Sequence, residues 1–272
     1  MTTHTRTGPD RRAALSRRTA RTCLARIWLA LSTAGMATAA CAQAPTGPVW
    51  IGRFGSEPAP WREVTVNAKL TPNRFRLRDW DGVAALEVTS QRSMSLFARP
   101  ITIDLAATPV LCWRWRIDAP LASADLLTRQ GDDYAARVYV SLAIPPDQQD
   151  FALRTQLRVA RAIWGPEVPD AALNYVWDNR QPVGTVRPNA YTDRTMMIVQ
   201  RSGAAGSGQW LQERRDVGRD AQTQFGASAT PVQVAVTADT DNTGESARAG
   251  FADLHFVARS APCVDTPDAS PR

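Results

Sequence analysis

The sequence predicts an all-β fold, a two-sheet antiparallel, jelly-roll-like sandwich with one inserted helix. Many short runs alternate between apolar and polar residues, as 111–117 does, and this period of two is typical of half-buried strands. Gly, Asp and Asn residues separate the runs and predict tight turns, which is the pattern of a sandwich. The predicted strands cover residues 50–54, 61–66, 74–80, 83–90, 93–98, 110–117, 136–144, 171–177, 195–200, 209–214, 232–237 and 251–257.

One segment departs from this alternation and predicts a helix over about 147–164. Asp147 is the expected N-cap, and Gly165 followed by Pro166 is a typical stop signal. A shorter helical turn is predicted over 216–224. The apolar residues of the longer helix recur mostly at intervals of three and four, as one face of a helix requires; they are Phe151, Leu153, Leu157, Ala160 and Ile163.

The first 42 residues have the features of an export signal. An arginine-rich stretch precedes an apolar run over 27–40, which is too short for a permanent membrane anchor. Small residues around Ala42 suit a cleavage site, so we expect the signal peptide 1–42 to be removed and the mature protein to lie in the periplasm or to be secreted. Cys41 leaves open a second interpretation, in which this residue carries a lipid anchor.

The formal net charge of +6 belongs to this leader rather than to the rest of the chain. Residues 1–42 contain seven arginines and one acidic residue, and 25 basic and 25 acidic residues remain in 43–272. A neutral domain lacks the basic excess that nucleic-acid binding requires, so we expect no such partner. No apolar run in 43–272 reaches the roughly 18 residues of a transmembrane helix, and none is expected in the mature chain.

The mature chain is predicted to form one sandwich domain over 43–259, because sandwiches of this size often remain undivided and no long linker interrupts the sequence. The tail 260–272 combines prolines with small polar residues, and we expect it to be disordered.

Cys112 and Cys263 are the two cysteines outside the leader. In an oxidising compartment they either form one disulfide or remain a buried thiol and a free tail thiol.

Several common catalytic chemistries lack their residues in 43–272. His255 is the one histidine there, which excludes zinc sites with two or more histidine ligands. Its strand position favours a solvated histidine over a catalytic base. The phosphate-binding, dinucleotide-binding, Cys-x-x-Cys and Gly-x-Ser-x-Gly motifs are all missing from this part of the sequence, so nucleotide, thiol-redox and nucleophile-elbow chemistries lose their usual support.

Four blocks and a tryptophan–arginine strand together resemble a known family. The blocks are 131–140, which contains Gly-Asp-Asp, 173–177, 216–226 and 237–246, which contains Asp-Thr-Asp-Asn-Thr; the strand is 113–116. They resemble an exported bacterial family known as domain of unknown function 3047, over about 50–257. The resemblance implies no known activity. The closing pattern, an acidic loop followed by a strand, is also similar to jelly-roll carbohydrate-binding modules.

The acidic block near the C-terminus has two interpretations. Asp239, Asp241, Asn242 and Glu245 supply several oxygen ligands within seven residues, which suits Ca²⁺ although the spacing is not that of an EF-hand. A calcium ion here would be structural, and no other cofactor is expected. The alternative is a tight Asn/Asp/Gly turn whose side chains cap backbone amides.

Asp132, Asp133 and Asp178 are the candidate catalytic carboxylates if the protein is an enzyme. Adjacent residues of an extended chain point to opposite faces, so Asp132 and Asp133 cannot readily act as one acid–base pair. Asp132 is also a candidate ligand-binding residue, because a carboxylate beside Arg137 or Arg116 suits sugar hydroxyls. The alternative is an ion pair that stabilises the sheet.

Arginine and aromatic side chains supply the other candidate ligand-binding residues. Arg114 and Arg116 lie on the outward face of one predicted strand, and Arg137 lies beside outward Tyr139 on another. If these strands are neighbours, they form a basic surface suited to acidic polysaccharides. Arginine is, however, the usual cation of this chain, since 43–272 contain one lysine. Trp177 borders a turn, where an exposed indole can stack on a sugar ring.

We therefore expect an exported β-sandwich that binds a ligand, in the first place a carbohydrate, without catalysis. One alternative is a glycan-active lyase or hydrolase that uses carboxylates, which a cleft with two inward carboxylates would favour. The other is a structural or assembly protein of the cell envelope, which a large exposed apolar patch would favour.

Overall fold

The computed structural model describes residues 47–55, 60–65, 67–165, 168–226 and 228–265. These residues contain thirteen strands and two α-helices. The strands form two sheets that pack face to face. The predicted signal peptide lies outside the described residues, as does the last part of the predicted tail, 266–272.

The first sheet, called the back sheet below, consists of six strands. They are β1 (Val49–Gly52), β3 (Arg74–Trp80), β4 (Val83–Gln91), β6 (Val110–Ile117), β11 (Leu211–Asp216) and β13 (Ser246–Val257). Their order is β11-β6-β13-β4-β3, with β1 also paired to β13, and the pairs are antiparallel.

The second sheet, called the front sheet below, consists of seven strands. They are β2 (Arg62–Val64), β5 (Leu96–Pro100), β7 (Tyr134–Ala143), β8 (Ala171–Asp178), β9 (Val186–Asn189), β10 (Thr192–Ser202) and β12 (Thr230–Asp239). Their order is β2-β5-β12-β7-β8-β10-β9. The β8–β10 pair is parallel because β9 intervenes in sequence and pairs with the outer side of β10.

Aromatic side chains fill the space between the two sheets. Trp113 of β6 packs on Tyr175 of β8 with 5.4 Å between ring centroids, and Trp115 packs on Trp177 at 5.7 Å. All four are buried, as period-two alternation on each strand requires. The opposite face of β6 points away from the core and carries Cys112, Arg114 and Arg116.

The inserted helix α1 spans Phe151–Trp164 and begins about one turn later than predicted. Asp150 rather than Asp147 is the N-cap, and its carboxylate accepts a hydrogen bond from the Leu153 amide at 2.7 Å. Asp147 lies instead in a short 3-10 helix that precedes α1. Gly165 ends the helix with a positive φ of 97°, as expected for a stop signal.

The apolar stripe of α1 packs against the sandwich only in part. Leu157 is buried, whereas Phe151 is 85% exposed and Ile163 is also exposed. The second helix, α2 (Val217–Phe225), agrees closely with the predicted helical turn. Its N-cap is Asp216, whose carboxylate accepts from the Arg219 amide.

The segment after β13 is bonded to the back sheet. Cys112 of β6 and Cys263 form a disulfide, and the Val264 amide donates to His255 Nε2 at 3.0 Å. The part of the predicted tail that the structure describes, 260–265, is therefore held on the sheet. Neither of the described α-helices has the length and apolar character needed to cross a membrane.

The predicted fold class is confirmed, with two departures. Each predicted strand corresponds to an observed one, and the helix is inserted between β7 and β8 as expected. The short edge strand β9 was missed because its sequence, Val-Arg-Pro-Asn, contains proline and lacks apolar alternation. Its presence makes the front sheet mixed rather than purely antiparallel.

Candidate functional site

A cleft of about 420 Å³ lies on the outer face of the front sheet. Arg137 and Tyr139 of β7, Thr195 of β10 and Asp239 of β12 form its floor, because these residues alternate with the core residues of their strands. The residues before β3 and the turns before β7, β10 and β13 supply its walls.

Two blocks of the sequence resemblance, 131–140 and 237–246, meet at this cleft. Asp133, just before β7, accepts hydrogen bonds from the Thr243 amide at 2.6 Å and from the Thr243 hydroxyl at 2.7 Å. The backbone of Gly131 lies so close to Asp125 that an added Cβ would stand 2.5 Å from the Asp125 nitrogen. Glycine at this position therefore lets the preceding loop pack against the start of β7.

Arg137 is buried at the centre of the floor and bonded on several sides. Its Nη1 donates to Asp239 Oδ2 in a buried ion pair. Nη2 and Nε donate to the side-chain oxygen of Asn174 at 2.7 and 3.1 Å when that amide is oriented to satisfy both groups. The guanidinium also lies 4.7 Å from the ring centroid of Tyr134 and 4.8 Å from that of Tyr139.

A group of three carboxylates adjoins this ion pair. One oxygen each from Asp133, Asp239 and Asp241 lies within 4.8 Å of the others. Burial raises the pKa of Asp239 well above its usual range, and the nearby carboxylates of Asp241 and Asp133 raise it further against the opposing charge of Arg137. Among the described residues, these three carboxylates are grouped closely enough to hold a metal, and two of them, Asp239 and Asp241, line the cleft.

The remaining members of the predicted calcium set have other roles. Glu245 accepts hydrogen bonds from the Ala122 and Ser123 amides at 2.9 and 2.7 Å, so it caps a neighbouring loop. Asn242 directs its side-chain amide towards Asp133 Oδ1 at 3.2 Å. The structure thus contains both the predicted turn and a group of carboxylates. The third carboxylate beside Asp239 and Asp241 is Asp133 and not Glu245.

Polar and aromatic groups form the rim of the cleft. Asp132 accepts two hydrogen bonds from the Asn189 amide at 2.9 and 2.8 Å. Tyr191 is 54% exposed, and its hydroxyl donates to Asn242 Oδ1 at 3.0 Å. The guanidinium of Arg129 lies 5.2 Å from the Tyr191 ring centroid. The rim therefore offers an oriented carboxylate, an amide and an aromatic ring.

Three predicted ligand-binding residues, Asp132, Arg137 and Tyr139, lie together in the cleft, and three others do not. Arg114 and Arg116 lie on the outer face of the back sheet, where they pair with Asp253 and Asp81. The strands that carry them belong to a different sheet from β7, so the predicted common arginine surface is wrong.

Trp177, the third predicted ligand-binding residue outside the cleft, does not reach the surface. It is 1% exposed, lies between the sheets, and donates from its indole nitrogen to the Gly203 carbonyl at 2.9 Å. The sequence itself favours burial of Trp177, because alternation along 171–178 places it on the same face as Leu173 and Tyr175.

Two candidate catalytic carboxylates are engaged by the backbone. Asp178 is buried and accepts hydrogen bonds from the Arg180 and Gln181 amides, so it stabilises the turn after β8. Asp133 is buried and anchors the turn that contains Thr243. Asp132 alone of the three candidates lines the cleft.

His255 is buried rather than solvated, which corrects the prediction for this residue. Its ring packs on Trp50 at 4.5 Å between centroids, and Nδ1 lies 2.6 Å from the Asp253 carbonyl oxygen. Burial lowers the pKa of His255, which keeps the ring neutral so that Nε2 accepts from Val264. Although His255 adjoins Cys112 and Cys263, those sulfurs are bonded to each other.

The cleft residues that sequence reasoning missed come mainly from connections. Asn67, Asn189 and Tyr191 lie at or just beyond the ends of the short strands β2 and β9. Their residue types favour turns as much as ligand contacts, so no local pattern separates the two roles. Tyr191 follows Asn189 in a tight connection to β10. An aromatic residue in such a turn was the one feature of the sequence that could have indicated a ligand contact here.

The comparisons with known proteins place the sequence in a family. The family described as "Protein of unknown function (DUF3047)" matches residues 59–255, which include most of both sheets and all the residues that line the cleft. Among curated proteins, none matches the sequence significantly.

Similar solved structures include carbohydrate-binding and carbohydrate-active domains. A family 30 carbohydrate-binding module of a cellulosomal cellulase from Clostridium thermocellum is 11% identical with a TM-score of 0.34, over 79% of this chain and 95% of the module. The xyloglucanase domain of an effector from Sinorhizobium fredii, in complex with cellobiose, is 10% identical with a TM-score of 0.34, over 75% of this chain and 100% of that domain.

Proposed function

The chain belongs to the family described as Protein of unknown function (DUF3047), and we propose that it is an exported protein that binds a carbohydrate in the front-sheet cleft without catalysis. The observation that carries this proposal is the combination of oriented polar groups and an exposed aromatic ring around one concave site. Its volume lies within the usual range for small-ligand sites, about 300–1,000 Å³.

The polar groups of the cleft are of the kind that recognises sugar hydroxyls. Asn67, Asp132, Asn189 and Asn242 present amide and carboxylate groups, which between them donate and accept hydrogen bonds. Asp132 and Asn189 hold each other in place, so little side-chain entropy would be lost when a hydroxyl joins them.

Tyr191 supplies the aromatic surface. Its ring is exposed at the rim, and its hydroxyl lies between two acceptors, Asn242 Oδ1 at 3.0 Å and the Arg129 carbonyl oxygen at 3.2 Å, which fix its orientation. A fixed tyrosine ring offers a large apolar contact at low entropic cost, which suits the apolar face of a pyranose ring.

A glycan-active hydrolase is the second candidate, and one specific observation favours it. Asp239 has a raised pKa and lies beside Asp241, and such a pair can divide into a general acid and a carboxylate base. Against this, Asp239 is buried at 2% exposure beneath the cleft and is held by Arg137, which limits its access to a glycosidic oxygen.

A glycan array probed with the purified protein, with and without Ca²⁺, tests the proposal. We expect binding to a neutral or weakly acidic glycan and no new reducing ends after prolonged incubation. Tyr191→Ala should weaken this binding by about tenfold, whereas Tyr191→Phe should retain most of it because the ring remains.

Phe151→Ala is the matched control, since Phe151 is an exposed aromatic residue on α1 and lies outside the cleft. It should leave glycan affinity unchanged. Release of reducing ends would favour the hydrolase, and abolition of that release by Asp239→Asn would assign the acid. Absence of binding to any glycan would contradict the proposal and favour a structural or assembly role in the cell envelope.

A further inference from the structure

We propose that Asp133, Asp239 and Asp241 bind a calcium ion at the edge of the front-sheet cleft. The three carboxylates come from two distant parts of the chain, since Asp133 precedes β7 while Asp239 and Asp241 surround the end of β12. One oxygen from each lies within 4.8 Å of the others. Oxygens that share a calcium ion at about 2.3–2.6 Å are separated by at most about 5 Å, so the spacing fits.

A buried oxygen without a partner independently indicates a ligand. Asp239 is 2% exposed, and its Oδ2 is bonded to Arg137. Within the described part of the chain, no group donates a hydrogen bond to its Oδ1. Native proteins rarely leave a buried carboxylate oxygen unsatisfied, because the desolvation of that oxygen is then uncompensated. A cation beside Asp241 would satisfy it.

The charge of the site also matches a divalent ion. When all three carboxylates ionise on binding a cation, the single guanidinium of Arg137 offsets one of the three negative charges and leaves two. One Ca²⁺ ion neutralises both charges. Carboxylate oxygens are also the ligands that calcium prefers.

Each carboxylate has an oxygen available for the ion. Asp133 Oδ2 already accepts two short hydrogen bonds from Thr243, so Oδ1 is the oxygen left for calcium. The bonds from Asn242 to this Oδ1 are longer, at 3.2 and 3.3 Å, and leave room for a further ligand. Thr243 thus orients Asp133 in the way that outer-shell partners orient metal ligands.

Three carboxylates leave coordination positions free, because calcium takes six to eight oxygens. Asp239 and Asp241 both line the cleft, so these positions face its interior. Water would fill them in the free protein, and neighbouring sugar hydroxyls would replace that water on binding. This last step rests on the proposed glycan binding, whereas the calcium site itself does not.

Calorimetric titration of the chelator-treated full chain with CaCl₂ alone tests the site. We expect saturable binding with a dissociation constant of about 1 mM or lower, the range of extracellular calcium modules, and a higher melting temperature in calcium than in chelator. Asp241→Asn should weaken calcium binding by at least about tenfold, because affinity follows the number of charged ligands. Its melting temperature in chelator should not fall below that of the unmodified protein.

Asp147→Asn is the matched control, because Asp147 is an exposed carboxylate beyond the opposite end of β7. It should bind calcium unchanged. The proposal is overturned if no heat of binding and no melting shift appear up to about 10 mM Ca²⁺, or if Asp241→Asn binds as well as the unmodified protein. Calcium binding without glycan binding would contradict the proposed function alone, and glycan binding without calcium binding would contradict the cation site alone.

Discussion

At the scale of single residues, the Arg137–Asp239 pair determines both the stability and the chemistry of the cleft floor. Both side chains are almost fully buried, and each is the main charged partner of the other. Removing one member leaves an uncompensated charge in the interior, which is far more costly than removing both.

We therefore predict that Arg137→Met lowers the free energy of unfolding by about 3–5 kcal/mol. The reason is that Asp239 then loses its cation while it remains buried beside Asp241. Urea denaturation at neutral pH in the presence of chelator measures this change. Acidic pH should reduce the loss, because protonation of Asp239 removes the stranded charge.

The double variant Arg137→Met with Asp239→Leu is the control for this interpretation. It should recover most of the lost stability, because no buried charge remains. If the effects of the two single substitutions simply add in the double variant, the two residues are not coupled, and the ion pair does not stabilise the floor.

Sequence reasoning identified part of this floor for a physical reason. Arg137 and Tyr139 could be assigned to an outer face because alternation along β7 is regular. The partner of Arg137 could not be identified, since Asp239 lies 102 residues away and is brought close by strand pairing. For the same reason, the sequence predicted Glu245 and not Asp133 as a calcium ligand, because Asp133 is distant in sequence from Asp239 and Asp241.

At the scale of elements, the disulfide joins β6 to the segment after β13. Cys112 and Cys263 are 151 residues apart in sequence, so the bond closes a long loop in the unfolded chain. A long closed loop loses more conformational entropy on cross-linking than a short one. Contacts such as His255 with Val264 hold the same segment in the folded state.

We predict that a Cys112→Ser/Cys263→Ser double variant loses about 2–5 kcal/mol of stability. The melting temperature should fall by roughly 5–15 °C, measured by circular dichroism, since a domain of this size loses a few degrees per kcal/mol. The cleft lies on the other sheet, so ligand and calcium affinity should not change. A melting temperature unaffected by reductant in the unmodified protein would contradict this prediction.

Element boundaries were predictable where local chemistry defines them. Asp216 and Gly165 mark a helix start and a helix end in the sequence as in the structure. The start of α1 was misplaced because Asp147 and Asp150 are both suitable caps, and the proline-rich 3-10 helix occupies the first of them. No local rule selects between two such aspartates.

At the scale of the whole molecule, the two outer faces of the sandwich differ in charge balance. The outer face of the back sheet is rich in arginine, but most of these arginines are paired with acidic neighbours. Trp80 illustrates this, since three arginines, Arg78, Arg116 and Arg248, surround its ring. Three acidic residues, Glu87, Asp81 and Asp118, pair with these arginines. The front-sheet cleft contains grouped carboxylates instead.

This distribution leads to a prediction about ionic strength. Residues 43–272 contain equal numbers of acidic and basic side chains, and the cleft presents carboxylates and amides rather than free cations. Attraction of a polyanion depends on such free cations and weakens steeply with salt. We therefore expect glycan affinity, measured by calorimetry at saturating Ca²⁺, to change less than about twofold between about 50 and about 500 mM NaCl.

Comparison of a neutral oligosaccharide with its sulfated form separates this prediction from the arginine-surface interpretation. Sulfate groups beside the Asp132 carboxylate would meet like charge, so the sulfated form should bind more weakly at low salt. The prediction would be contradicted if the sulfated form binds more tightly and if this gain is lost at high salt. The gain should then also be lost in an Arg76→Ser variant, since Arg76 is an exposed arginine of β3. That result would transfer the ligand site from the front-sheet cleft to the arginines of the back sheet, because salt-sensitive affinity requires cations that ligand binding neutralises.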